Sequence, residues 1–123
     1  MRFSTIATIA IYVTAIFGVA FLFLPEKTSA LYGLSGWNTG TIFIARLFGV
    51  SLLFLGAIAA AVRHITDADL QRRLSKYLAL ANLLGVVVSA HAVLTGAGNA
   101  LLWSIVAIYL FFTLAWGSIV SRR

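Results

Sequence analysis

The sequence predicts an all-α fold, a four-transmembrane-helix bundle built as one integral membrane domain over residues 1–123. Three observations point to it. Hydrophobic residues make up 62% of the chain and charged residues 10%, with a mean hydropathy of +1.04. Apolar runs long enough to cross a ~30 Å hydrocarbon core recur along the chain. The basic residues gather at the termini and in one connection, except for Lys27 and Arg46. A soluble domain carries roughly 25% charged residues, so these few charges could not cover a water-facing surface. Disorder, a soluble enzyme fold and a collagen-like repeat are excluded. The chain has no cysteine, which removes disulfide frameworks and thiolate metal sites as well.

The first span is expected at residues 4–24, an uncharged stretch closed by Pro25, whose ring cannot continue a helix. A cleaved signal peptide is the competing reading, since Arg2, an apolar run and Thr28-Ser29-Ala30 fit one superficially. The apolar run is longer than the usual ~7–15 residues of a signal core, which favours a retained span. Residues 25–33 then read as a short interfacial helix, with Pro25 in its first turn and Gly33 at its stop.

The second span is expected at residues 41–62, interrupted only by Arg46. Thr66-Asp67-Ala68-Asp69 resembles a capping box with the hydroxyl at the N-cap, so the next helix should begin near Asp67. Asp69 can pair with Arg72 or Arg73 on its surface. From Tyr77 to Ser121 there is no formal charge, and 45 residues are too many for one crossing. The turn-forming cluster Thr95-Gly96-Ala97-Gly98-Asn99 divides the run into spans at 77–94 and 100–120.

Four crossings put both termini and the 63–76 connection on one side. That side holds Arg2, Arg63, Arg72, Arg73, Lys76, Arg122 and Arg123, against Lys27 alone on the other. The asymmetry predicts cytoplasmic N- and C-termini, with the bacterial inner (plasma) membrane as the expected location. It also accounts for the net charge of +6 without nucleic acid, which is not expected as a partner.

Helices in lipid associate by close packing of small residues. Ala45, Gly49, Gly56 and Ala60 form such a stripe in the second span, Ala81, Gly85, Ser89 and Gly96 in the third, and Ala10, Thr14 and Gly18 in the first. The expected packing brings the second and third spans together through Gly49, Gly56, Gly85 and Ser89. The fourth span is rich in large aromatics and is expected to face lipid or a protein partner. Tyr32, Trp37 and Trp103 suit one interfacial belt, and Tyr77 and Trp116 the other.

Arg46 is the foremost candidate for function, because a charge inside a span costs about 2.5–3.5 kcal/mol on insertion scales. It lies six residues past Gly40, about 9 Å into the membrane. There it can snorkel, pair with Glu26, or hold an anionic or polar ligand. His91 falls at a similar depth and suits a hydrogen bond across helices better than a metal. Asn82 suits the same interhelical role. Glu26, Tyr32, Trp37, Asn38, Arg46, His91, Asn99 and Trp103 all map to the outer half, which would make a shallow pocket for a quinone or lipid headgroup. His64 belongs to the other side, so the two histidines cannot share a metal or haem, and no metal or other cofactor is expected. No span holds Asp or Glu, which removes a proton-coupled exporter, and no nucleophile–base–acid set is present, so no enzyme is expected.

The segment Ala45-Arg46-Leu47-Phe48-Gly49, followed by Gly56, resembles the Arg-x-x-Gly…Gly signature of DoxX-like small four-helix membrane proteins. The stretch from Leu24-Pro25-Glu26 to Leu31-Tyr32-Gly33 is similar to the first outer loop of members of that group. The resemblance implies a four-helix membrane fold and a link to quinone-dependent respiratory complexes.

The function expected from these features is that of a small accessory or interaction subunit, without catalysis of its own. It would dock within a larger membrane complex through the aromatic fourth span. The alternative is a binder of a quinone or lipid headgroup around Arg46. Membrane lipids are the other expected partners, and self-association is left open.

Overall fold

The computed structural model describes residues 1–122, so Arg123 of the charge asymmetry lies outside the described residues. Five helices follow one another: α1 (Phe3–Phe23), α2 (Pro25–Leu31), α3 (Thr39–Val62), α4 (Ala68–Leu94) and α5 (Leu102–Val120). All but α2 are long and apolar enough to cross a membrane, and the four-helix transmembrane bundle follows.

Each boundary has a local cause. Proline opens α2, and Thr28 Oγ donates to the Ala20 carbonyl at 3.1 Å, folding α2 back onto α1. Asn38 begins α3 with a capping box in which its side chain accepts from the Thr41 amide and the Thr41 hydroxyl accepts from the Asn38 amide. The N-cap of α4 is Asp67, one residue later than the expected Thr66, because the Asp67 carboxylate accepts from the amides of both Asp69 and Leu70. Asp69 pairs with Arg72 at 3.7 Å, as its spacing allows.

The helices assemble as two antiparallel pairs, α1 with α3 and α4 with α5. This corrects the expectation that the second and third spans, α3 and α4, pack closely. The small residues are used within each pair instead. A β-carbon built on Gly56 would meet the Thr14 hydroxyl of α1 at 2.6 Å, and one on Gly18 would meet Leu53 of α3. Gly85 lies under the Tyr109 ring of α5. Ser89 is half-buried, and its hydroxyl donates to the Gly85 carbonyl of its own helix at 2.6 Å.

The pairs join at both ends. At the end bearing the termini, Phe3, Ile6 and Ala7 of α1 pack with Phe112, Trp116 and Ile119 of α5, the Phe3 and Trp116 rings edge to face at 5.5 Å. The Arg122 guanidinium donates to the Met1 carbonyl, and Arg72 donates to the Arg122 carbonyl at 2.8 Å. At the far end, the Asn99 amide donates to the Tyr32 carbonyl at 2.8 Å and its Nδ2 to the Leu31 carbonyl at 3.0 Å. Gly33 and Gly98 have φ of +73° and +63° beside this junction, and side chains there would run into Asn99 and the Tyr32 carbonyl.

The aromatic α5 therefore turns inward more than expected. Trp116 is 3% exposed, packed in the core rather than lying in an interfacial belt. Phe112 is buried with it. Trp103, Leu110, Phe111 and Leu114 remain exposed.

Candidate functional site

Joining two helix pairs only at their ends leaves a cleft between them. Its cavity volume is about 390 Å³. On α3 one face supplies Phe48, Leu52, Leu55, Ala59 and Val62, spaced at i, i+4, i+7, i+11 and i+14. On α1 the wall is Ala10, Val13, Thr14, Phe17 and Phe21, at the same helical spacing. Across the gap stand Leu102, Ile105, Tyr109, Phe112 and Trp116 of α5, with Leu74, Tyr77, Leu78 and Asn82 of α4. From Phe48 to Val62 the wall runs about 21 Å at 1.5 Å per residue, more than half of a ~30 Å hydrocarbon core. No charged side chain lines it among the described residues.

The five residues proposed from sequence as ligand-binding lie elsewhere. Arg46 is exposed and takes no part in the cleft wall. It precedes Phe48 by two positions, and at about 100° per residue the two project to nearly opposite sides of α3. Glu26, His91 and Trp103 are exposed and Trp37 is half-buried, all outside the wall. Within 4 Å, Asp69–Arg72 is the only ion pair among the described residues, so Glu26 does not reach Arg46. None of these five lines the cleft, because depth along a helix says nothing about azimuth around it.

The polar residues that do reach the cleft are mild ones. Thr14 returns its hydroxyl to the Ala10 carbonyl at 2.6 Å. Asn82 donates through Nδ2 to the Leu78 carbonyl of its own helix at 2.8 Å, which corrects the interhelical bond expected of it. Tyr109 stands on Gly85 and is among the residues lining the cavity. Sequence reasoning passed over Tyr109 as one aromatic among many. The available signal was its pairing with Gly85, the sole glycine within α4.

The arrangement offers a slender, uncharged, mostly apolar slot within the membrane. It lacks a nucleophile–base pair, and among the described residues no three His, Asp or Glu side chains converge. No protein-family model matches the chain, and no curated protein or solved structure is similar enough to count as a match.

Proposed function

We propose that this protein is a non-catalytic integral membrane protein that holds one slender hydrophobic molecule, a lipid chain or quinone tail, in the cleft between its helix pairs. The cleft volume carries this reading. Small-molecule sites of about 300–1,000 Å³ with apolar walls are the common type. The DoxX-like resemblance, with its link to quinone-dependent complexes, points the same way. Arg46, on the far face of α3, then snorkels to the headgroups, and the seven-to-one basic asymmetry favours cytoplasmic termini in a bacterial inner membrane.

The test is native mass spectrometry of protein extracted gently from its own membrane, compared with Ala59→Phe, which fills the cleft wall. A defined small-molecule adduct on the parent protein that disappears in the variant is the expected result. Equal adducts on both would sink the reading.

A second reading, the accessory subunit, is favoured by one feature of α5. Trp103, Ala107, Leu110 and Leu114 are exposed at i, i+4, i+7 and i+11, a continuous stripe to which a partner helix could dock. A heteromeric mass in the same experiment, lost on Leu110→Trp, would favour it. A homomeric mass would instead name a second copy as the partner.

A further inference from the structure

Two polar groups in the cleft have hydrogen-bonding capacity that the described protein does not use. Among the described residues the Tyr109 hydroxyl has no hydrogen-bond partner, and Asn82 uses one N–H on the Leu78 carbonyl while its Oδ1 and second N–H have none. Tyr109 lies against Gly85, and Asn82 precedes Gly85 by three residues, about 4.5 Å of helix rise. Both groups line the same cavity. Tyr109 is seven residues from the start of α5, about 10 Å into the membrane, where water is not available to satisfy a phenol. An unpaired polar group is costly in a medium that cannot hydrogen-bond, so these two are informative about what fills the cleft.

We infer that the cleft selects an uncharged amphiphile whose hydroxyl or carbonyl oxygen is held by Tyr109 and Asn82 deep in the membrane. This rests on the reading of the cleft as a chain-binding site and names the chemistry of its occupant. A ligand hydroxyl accepts from the Tyr109 O–H while donating to Asn82 Oδ1. A ligand ketone accepts from the Tyr109 O–H and the free Asn82 N–H. An ionised headgroup does not fit, because no charged residue lines the walls and a lone charge there would be strongly disfavoured.

The experiment uses the full chain in nonionic detergent, with three probes of matched length: 1-hexadecanol, 2-heptadecanone and heptadecane. Native mass spectrometry reads the bound fraction of each on the parent protein and on Tyr109→Phe, Asn82→Leu and Ala59→Phe, all first checked for an unchanged thermal midpoint. The alcohol and ketone should bind about 25-fold better than the alkane, the value of two net hydrogen bonds of about fivefold each. Tyr109→Phe and Asn82→Leu should each erase about fivefold of that preference and leave the alkane untouched. Equal binding of all three probes by the parent protein, with loss of all three in Ala59→Phe, would overturn the selectivity and leave chain binding standing. Adducts unaffected by Ala59→Phe, or no adducts at all, would overturn both.

Discussion

A β-carbon built on Gly49 would sit 2.7 Å from the carbonyl oxygen of Gly18, so α1 and α3 meet backbone to backbone where these two glycines face each other. Such an approach suits a membrane, where apolar side chains gain little from leaving lipid and contact depends on surfaces that fit closely. The same hypothetical carbon would also lie 2.7 Å from the Leu22 amide nitrogen, leaving no flexible group to yield.

Gly49→Ala is therefore expected to force α1 and α3 apart, at a cost of about 1–3 kcal/mol. Gly117 is the control: a methyl group there meets nothing within 4 Å, and Gly117→Ala should gain about 0.5–1 kcal/mol from helix propensity. Reversible unfolding in mixed micelles measures both. Equal effects of the two would contradict the close crossing.

The two tryptophans of α5 should separate. Trp116 is buried against Phe3, and Trp116→Ala removes the centre of the junction at the termini, about 3–5 kcal/mol. Trp103 is exposed, and Trp103→Ala should stay within about 0.5 kcal/mol of the parent protein. If instead Trp103→Ala unfolds the chain, α5 does not present that face to lipid.

Asn99 closes the far end through a backbone hydrogen bond to Tyr32 and a side-chain hydrogen bond to Leu31, at the end of α2. Asn99→Ala keeps the first and loses the second together with the Leu101 amide's bond to Asn99 Oδ1, a change of about 1–3 kcal/mol. Its signature is local: amide hydrogen exchange at residue 99 should quicken while the amides of α3 keep their protection. Uniform loss of protection would show that the junction is not a separate latch.

Ser75 is fully buried, and its hydroxyl has no partner among the described residues. Ser75→Ala removes that unsatisfied group and is expected to stabilise the protein by about 1 kcal/mol. A destabilised variant would mean that the hydroxyl is bonded in the native membrane.

Much of the architecture was legible along the chain. The uncharged runs, the Pro25 break, the 95–99 turn cluster and the acid-capped start of α4 give helices within a few residues of those observed. The expected interfacial helix at 25–33 is present as α2, with Gly33 at positive φ just beyond it. The small-residue stripes were legible too, but not their partners. Gly49 and Gly56 face α1, and Gly85 faces Tyr109.

The candidate site was the least legible part. Arg46, His91, Glu26, Trp37 and Trp103 share a depth, and chemistry-bearing residues at one depth are what a linear reading can find. Tyr109 was hidden because it is one aromatic among many in its span, and Asn82 was read as a helix-to-helix hydrogen bonder rather than as part of a cleft wall.

What the sequence determined by itself is the number of crossings and their ends, because hydrocarbon thickness and backbone hydrogen bonding act on each segment alone. Which helices pair, and that α3 and α4 stand apart across a cleft, was decided only by tertiary structure. Lipid solvates Leu as well as a neighbouring helix does, so helix hydrophobicity is silent about partners. Partnering is settled instead by whether Gly18 meets Gly49, Tyr109 meets Gly85 and Phe3 meets Trp116, and those are relations between residues far apart along the chain.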